Sequence, residues 1–485
     1  MTQKSKEVKE KQLAPLGLSL GTFALCAFVI GFSIMKLGVD AHIPMVIAAT
    51  ICAAVAMFFL GKTWQDVENG IVNGIQLALI PIIILMLVGL LIGSWIASGT
   101  VPALIYYGLK LLSPRYFLAA TLLICSIVAV STGTSWTTAG TVGIALMGVG
   151  GALGIPSPMT AGAIISGSYF GDKMSPLSDT TNLAPAVAGG ELFDHIRAMV
   201  WTTAPTYIIA LIIYIVIGLR FSGDTGNLED IAIISNTMIQ TYKINIITLI
   251  PPIFIIVSAW KKWPAIPSLM IGIFLACLTA FFMQGQGISD LISIVHYGYE
   301  SETGVKAVDD LLTRGGLDSM MWTISLIVCA LSFGGIMESC GFLESIFSHL
   351  SKYLKSEHSL VGITLISSYL SNFFLGDQFL GIIVPGRTFK PAYEAMGLAP
   401  RMLSRTLEDC GTISSPLIPW TACGAFMSNV LGVGSFTFMP YAFFNWLNPI
   451  VAFLMTFAGI GIFWRKADGT ITQDKTQSVA ARQEA

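Results

Sequence analysis

Long uninterrupted apolar stretches constrain this chain more than any other feature. Four of them, residues 15–37, 42–60, 75–97 and 201–219, approach the roughly 20 residues that an α-helix needs to cross a bilayer. Only 11% of the 485 residues are charged, whereas soluble proteins average about 25%. A β-barrel would instead show short segments of alternating polarity. The sequence therefore predicts an all-α polytopic membrane protein.

Charge, cysteine and histidine usage narrow the classes of partner. The formal net charge of −2 argues against a basic face for nucleic acid, so no nucleic-acid partner is expected. The eight cysteines lie within or beside apolar stretches without a CxxC pair, and we interpret them as reduced packing residues. The five histidines lack the spacing of metal ligands. The sequence therefore predicts no cofactor, and the lipid bilayer is the expected partner.

One polar run, FGDKMSPLSDTTNLAP at residues 170–185, interrupts the apolar pattern. It contains Asp172, Lys173 and Asp179. Ionisable groups at bilayer depth cost about 2.5–3.5 kcal/mol each on insertion scales, so they usually mark the path of an ion or a proton. Pro176 lacks a backbone N–H, and the helix that arrives here should break and expose polar main-chain groups. Such carbonyls, with nearby hydroxyls, are the ligands that a small hard cation prefers.

A second polar run, residues 131–141, lies between two short apolar arms at 117–130 and 142–153. Neither arm reaches the roughly 20 residues that a span needs. The pattern predicts a re-entrant hairpin with Ser131 at its tip. Such a hairpin is tolerated only where the tip is buried in protein or lines a wet cavity.

The same order of elements returns in the second half of the chain. The dipeptide Ile43-Pro44 recurs 223 residues later, at 266 and 267, and the tripeptide Ser175-Pro176-Leu177 recurs 240 residues later, at 415 to 417. A duplication predicts four polar breaks: tips at 131–141 and 371–381, and helix breaks at 171–182 and 411–421. The resulting domains are a cytoplasmic tail at 1–14, a first repeat at 15–220, a linker at 221–243, a second repeat at 244–464 and a cytoplasmic tail at 465–485.

Parity and charge bias predict how the two copies are oriented. Each copy has five crossings if its hairpin counts as none, and an odd number inverts the second copy. Inverted repeats of this kind are typical of transporters with discontinuous helices at the midplane. Lysine and arginine in the N-terminal tail and at Arg465-Lys466 indicate the cytoplasmic side, opposite the acidic connector at 300–310. We expect about 10 transmembrane helices with two re-entrant hairpins and two broken helices.

Side-chain oxygens at the four breaks are the candidate ligands for a cation, and carboxylates would supply the compensating charge. The two copies differ in where their acids lie, so we expect them to be specialised differently. The candidate site comprises Asp172, Asp179, Asp377, Thr134, Ser135, Ser178, Thr181, Asn182, Asn372 and Ser414. Further residues of interest are Ser131, Lys173, Glu408, Asp409 and Arg405.

Each acidic group also has a purely structural alternative. The three ionisable groups of the first polar run could form an ion pair that fixes the broken helix. Asp377 could cap the hairpin tip by accepting neighbouring N–H groups. Glu408 and Asp409 could pair with Arg401 and Arg405 on one helical face.

The segments GDKMSPLSDTTNLAP and TGTSWTTAGT resemble the signature region of the NhaC-type sodium/proton antiporter family. The resemblance extends through SNFFLGDQFLGIIVPG and EDCGTISSPLIPW in the second half. It implies the ion-transporter superfamily fold, with inverted repeats, two hairpins, a transport domain that moves like an elevator, and usually a homodimer. It also implies exchange of Na+ and H+ in a bacterial inner membrane. Proteins resembling this family include malate/lactate exchangers coupled to Na+ and H+, so an organic-acid exchanger is the alternative.

Two other classes fit less well. The run Leu375-Gly376-Asp377 suggests an intramembrane aspartyl protease, but no Tyr-Asp pair exists in the sequence to supply the partner aspartate. A passive channel would not need two hairpins that meet two broken helices. The sequence therefore predicts a transporter and not an enzyme.

Overall fold

The computed structural model describes residues 14–222, 227–351, 354 and 356–479. Most of the predicted tails and part of the predicted linker lie outside these residues. Two short strands, β1 (Trp464–Arg465) and β2 (Ile471–Thr472), pair antiparallel near the C-terminus. The rest of the described chain consists of helices and their connections.

The helices of the first half are α1 (Leu16–Leu37), α2 (His42–Phe59), α3 (Trp64–Leu77), α4 (Leu79–Ala97), α5 (Thr100–Leu111), α6 (Pro114–Thr132), α7 (Ser135–Thr138), α8 (Ile144–Ala152), α9 (Ser157–Met174), α10 (Asp179–Ala188) and α11 (Leu192–Leu219). A π-helical turn, Ala139–Gly143, joins α7 to α8. A 3-10 turn, Arg220–Ser222, follows α11.

The helices of the second half are α12 (Asn227–Thr241), α13 (Ile250–Trp260), α14 (Ala265–Thr279), α15 (Ile288–Tyr297), α16 (Lys306–Leu312), α17 (Asp318–Ser339), α18 (Phe342–Ser351), α19 (Glu357–Leu375), α20 (Gln378–Ala395), α21 (Pro400–Cys410), α22 (Ala422–Leu431), α23 (Ser435–Phe438) and α24 (Phe443–Phe457). A π-helical turn, Ala280–Gln284, extends α14. The 3-10 turns are Ile246–Leu249, Ser415–Leu417, Met439–Tyr441 and Lys475–Gln477.

Within the described residues, eight helices are long and apolar enough to cross a membrane. The number rises to ten if each of two bent pairs is counted as one span. These pairs are Ala232–Thr241 with Ile246–Trp260, bent by 99°, and Ala422–Leu431 with Ser435–Tyr441, bent by 83°. The prediction of an all-α polytopic membrane protein is confirmed.

The first arm of each predicted hairpin is longer than its apolar run indicated. Helices α6 and α19 each contain 19 residues and both are among the eight apolar helices, so the expectation that neither arm reaches span length is wrong for α6. The physical reason is that polar residues can continue a helix by bonding back to it. Ser131 donates its hydroxyl hydrogen to the Ile127 carbonyl at 2.8 Å. Ser131 therefore lies in the last turn of α6 and not at the tip.

The helix boundaries of the two halves recur at one constant displacement. Helices α6, α9 and α10 begin at Pro114, Ser157 and Asp179, and α19, α21 and α22 begin 243 residues later in each case (357 − 114, 400 − 157, 422 − 179). The left-handed glycines Gly133 and Gly189 likewise recur at 376 and 432. The structure thus sets the register three residues away from the 240 that the Ser-Pro-Leu tripeptides predict. By helix position, the counterpart of Asp377 is Thr134, and the two tripeptides are not equivalent.

Close packing of α6 against α9 carries the first tip to the first break. A Cβ atom at Gly167 would overlap the Leu122 carbonyl oxygen, and one at Gly171 would lie 2.6 Å from the Ser126 carbonyl oxygen. Small residues let two helices approach in this way within a membrane. As a result, the C-terminal ends of α6 and α9 lie side by side.

The outer ends of the two hairpins contact different connectors. Near the end of α8, a Cβ at Gly151 would lie 3.2 Å from a methyl group of Leu311 in α16, which belongs to the acidic connector. After α20, the Gly397 carbonyl accepts a hydrogen bond from the Arg465 amide at 2.8 Å, and the Ala399 amide donates to the Phe463 carbonyl at 2.9 Å. The first hairpin therefore ends at the acidic connector, and the second ends at the basic C-terminal segment.

Candidate functional site

A cavity of about 370 Å3 lies where the two tips meet the first helix break. The junction between α3 and α4 forms an apolar part of its wall. Five of the predicted site residues line it: Thr134 from the first tip, Asp172, Ser178 and Asp179 from the first break, and Asp377 from the second tip.

The two tips share one backbone design. Gly133 and Gly376 both have φ of 71°, a left-handed conformation that glycine adopts at little cost. Thr134 and Asp377 follow with extended backbones and cap the next helix. The Asp377 Oδ1 atom accepts hydrogen bonds from the Phe379 amide at 2.7 Å and from the Leu380 amide at 3.3 Å. The capping alternative for Asp377 is confirmed, although the residue also lines the cavity.

Asp172 connects the first break to the first tip. Its Oδ2 atom accepts hydrogen bonds from the Ser135 amide at 3.0 Å and from the Ser135 hydroxyl at 2.7 Å. The side chain is buried, with 6% exposure. Asp179 begins α10 next to it and is exposed, close enough for its charge to act on Asp172. The cavity thus has one anchored and one exposed aspartate.

Two other predicted residues close the break instead of lining the cavity. The Thr181 hydroxyl donates to the carbonyls of Asp172 and Lys173 at 3.2 and 3.0 Å. The Asn182 side-chain amide donates to the Ser178 carbonyl at 2.7 Å. These bonds satisfy main-chain oxygens that the sequence suggested would be bare, which is the requirement for irregular backbone at membrane depth.

Asn372 and Ser414 lie together but away from the cavity. The Asn372 side-chain amide donates to the Gly411 carbonyl at 2.6 Å and to the Ser414 hydroxyl at 3.0 Å. The Ser414 hydroxyl donates to the Cys410 carbonyl at 2.7 Å. These contacts tie α19 to the irregular segment after α21. The predicted site is therefore divided between two places.

Lys173 forms an ion pair between the two halves of the chain. Its Nζ atom lies 2.5 Å from the Oδ1 atom of Asp409, and both side chains are fully buried. The same oxygen accepts hydrogen bonds from Thr202 Oγ1 at 2.8 Å and from Asn448 Nδ2 at 3.0 Å. Arg405 Nε lies 3.6 Å from Asp409 Oδ2. The ends of α9 and α21 are joined by this cluster.

This pairing decides between the structural alternatives. The expected ion pair within the first polar run is wrong, because Lys173 contacts Asp409 and leaves both aspartates of the run facing the cavity. The expected pair on the second helical face is confirmed for Arg405 with Asp409. Glu408 behaves differently. It is fully buried, and neither of its carboxylate oxygens has a hydrogen-bond partner among the described residues.

Comparison with known proteins bears on the same segments. A model of the Na+/H+ antiporter family matches residues 167–460, which include the first break, the second hairpin and the Lys173–Asp409 pair. The Na+/H+ antiporter NhaC of Alkalihalophilus pseudofirmus is 42% identical over 450 residues, which cover 93% of this chain and 97% of that protein. The chain belongs to the NhaC-type Na+/H+ antiporter family.

Two relatives of this NhaC-type protein carry different names. A malate-2H+/Na+-lactate antiporter of Bacillus subtilis is 37% identical over 473 residues, 97% of this chain and 99% of that protein. An arginine/ornithine antiporter, ArcD, of Halobacterium salinarum is 39% identical over 428 residues, 88% of each chain. Membership of the family therefore leaves the exchanged solute to be argued from the site.

Several residues of the NhaC-type cavity were not predicted. Gln378 follows Asp377 in the same polar run, which could have indicated it. Trp136 also lines the cavity and stacks on Phe426 with ring centroids 4.2 Å apart. No sequence signal distinguishes the apolar wall. Further lining residues are Thr180, Cys423, Phe379, Leu77, Ile80, Pro81 and Ile84.

The lining of the cavity suits a positively charged solute. None of the described residues that line it is lysine, arginine or histidine, whereas three are aspartate. Within the described chain, no three histidine, cysteine or acidic side chains converge to hold one metal ion. A small cation would therefore be held by one or two carboxylates together with hydroxyl and amide oxygens, as hard cations accept.

Proposed function

We propose that this protein is a secondary active Na+/H+ antiporter in which Asp172 and Asp179 bind Na+ or H+ alternately. The observation that carries the proposal is the cavity itself, which is lined by three aspartates and by no basic side chain of the described residues. Relatives named as Na+/H+ antiporters over most of the chain support it. We place the protein in the inner membrane of a bacterial cell.

Exchange follows from the electrostatics of one carboxylate. With Na+ bound, the carboxylate stays ionised, whereas a bound proton removes the charge that holds the metal. Binding is then exclusive, so a site that returns with one ion cannot carry the other. Ser135 holds Oδ2 of Asp172 in place, and Asp179 is the exposed member that meets the arriving ion.

We also propose that the two halves are inverted repeats whose hairpins enter from opposite faces. Three observations support this: the constant displacement of the helix boundaries, the shared cavity of both tips, and the contact of the hairpin ends with the acidic connector and the basic C-terminal segment, respectively. The positive-inside rule assigns those segments to opposite faces. The proposed boundaries remain 15–220 and 244–464, with an elevator-like movement and a homodimer.

The alternative is an exchanger of organic acids that retains the cation site. The similarity to a malate-2H+/Na+-lactate antiporter supports it, and a cavity of about 370 Å3 lies within the ~300–1,000 Å3 of small-molecule sites. The absence of a basic side chain among the described lining residues favours the cation alone. Bound Na+ would have to neutralise the acid.

Purified protein in vesicles with an entrapped pH dye tests the proposal. After an acid interior is imposed, external NaCl should make it alkaline, and choline chloride should not. Protein-free vesicles are the control for leakage. No response to NaCl would contradict the proposal, and a response that also requires malate or lactate would move the assignment to the alternative.

A further inference from the structure

The dipeptide Glu408-Asp409 places two buried acids side by side in opposite conditions. Asp409 is saturated by Lys173, Thr202 and Asn448. Glu408 is fully buried, yet neither of its oxygens has a hydrogen-bond partner among the described residues. An ionised carboxylate in that condition costs several kcal/mol. Glu408 is therefore a group for which gaining a proton removes a penalty.

Glu408 lies directly behind the wall of the cation cavity. The side chains that face it are Lys173, Thr412, Thr180 and Asp172. Two of them, Thr180 and Asp172, also line the cavity. One layer of side chains therefore separates the Glu408 carboxyl from the place where a cation would bind.

The charged and titratable groups around Glu408 come from four helices. Asp172 and Lys173 belong to α9, and Arg405 and Asp409 belong to α21, as Glu408 itself does. From α11, His195 faces Lys173 and Arg405 and bonds Ser404 at 2.9 Å. From α20, Tyr393 faces Arg405 and Asp409.

Counting these charges shows that the cluster can accept Glu408 in either form. Lys173 and Arg405 carry two positive charges and Asp409 carries one negative charge, so an ionised Glu408 would balance the cluster. An ionised Asp172 nearby opposes that second negative charge. A cation on Asp172 would remove the opposition, because opposite charges favour ionisation of a neighbouring acid.

We propose that Glu408 binds a second exchanged proton, outside the coordination shell of the cation, and releases it when Na+ occupies the cavity at Asp172. The inference rests on the proposed function. Thr180, which faces both Glu408 and the cavity, is the hydroxyl through which the proton leaves. Glu408 is then a proton-binding residue and not a ligand of Na+.

Proton release on Na+ binding to the purified protein tests the role of Glu408. Calorimetric titration with NaCl in two buffers of different ionisation enthalpy gives both the affinity and the number of protons released per Na+. Glu408→Gln keeps the size of the side chain but cannot ionise. It should still bind Na+ and should release about half as many protons as the wild type, because one of two linked groups is lost. Glu394→Gln, at an exposed glutamate of α20, is the matched control and should behave as wild type.

The outcomes separate this inference from the proposed function. Equal proton release by Glu408→Gln and wild type would overturn the inference, and so would loss of Na+ binding by a folded Glu408→Gln protein, which would make Glu408 a ligand. Wild type that releases no protons with Na+ would contradict the proposed function itself. If Glu408→Gln does not fold, Glu408→Asp keeps an ionisable group and should release the second proton at an altered pH. An unaltered pH dependence in Glu408→Asp would also overturn the inference.

Discussion

At the scale of single residues, the site is decided by which acids are already occupied. Asp409 is held by an ion pair and two hydrogen bonds, and Asp377 accepts two main-chain amides. Asp172 has one oxygen bound by Ser135, and Asp179 is exposed. The carboxylates of the first break therefore have the most capacity left for a transported ion.

We expect Asp179→Asn and Asp172→Asn to abolish exchange without unfolding the protein. Asparagine keeps size and hydrogen bonding but cannot change charge. Na+-driven proton movement in vesicles should fall at least tenfold, since each 1.4 kcal/mol of lost interaction is a factor of ten. The exposed Asp310→Asn is the matched control. Full exchange by both variants would refute the assignment, and loss of folded protein on size exclusion would indicate a structural role.

The hydroxyls of the site should tune the affinity for Na+ without carrying the proton. Thr134 lines the cavity and has no titration near neutrality. Thr134→Ala should raise the Na+ concentration at half-maximal exchange and leave the pH profile in place. Ser131→Ala, on the same hairpin but bonded within α6, is the control and should change neither. A shift of the pH profile alone in Thr134→Ala would contradict this role.

At the scale of elements, the acidic connector between α15 and α17 is held by one carboxylate. The Asp309 Oδ1 atom accepts hydrogen bonds from the Thr303 amide at 2.8 Å, the Thr303 hydroxyl at 2.7 Å and the Ser301 hydroxyl at 2.9 Å. These donors, the Thr303 amide foremost, lower the pKa of Asp309 below its ordinary value. Because that pKa is lowered on folding, the stabilisation is present above the ordinary pKa and is lost as the pH falls through the lowered one.

Replacement of Asp309 should therefore loosen the connector without affecting transport. Asp309→Asn should be cleaved faster than wild type by a protease added to the outside of intact cells at neutral pH. In hydrogen exchange of the purified protein, the wild-type connector should approach the behaviour of the variant only in strongly acidic solution. Asp310→Asn, at the exposed neighbouring residue, is the control. Equal cleavage of the two variants would show that the Asp309 bonds do not order the connector.

At the scale of the whole molecule, the equivalent helices α5 and α18 should lie at opposite faces of the membrane. Each follows a left-handed glycine, at Gly99 and at Gly341, and inversion of the repeats separates them. In a background without the native cysteines, Lys110→Cys should react with an impermeant reagent outside intact cells, and Leu350→Cys should react only in inverted vesicles. Asp310→Cys and Asp468→Cys provide the outside and inside references. Labelling of both helices from one side would contradict the inverted topology.

The sequence by itself determined the class of the protein and the position of its first helix break. Apolar length and the cost of ionisable groups in hydrocarbon are properties of local composition, so α1, α2 and the break between α9 and α10 could be read directly. The same reasoning indicated Asp172 and Asp179, because few other acids lie inside apolar flanks. Matching tripeptides gave a duplication but the wrong register, since identical residues need not occupy equivalent turns of a helix.

Only the tertiary structure decided which charges meet. Lys173 lies beside Asp172 in the chain, yet its partner is Asp409, 236 residues away. No local pattern encodes that choice, because it depends on which helix ends the packing brings together. The tips were also fixed in space: left-handed Gly133 and Gly376 end their helices, and Asp377 from the second half reaches the cavity of the first. Proximity across the fold, and not spacing along the chain, makes one site from two halves.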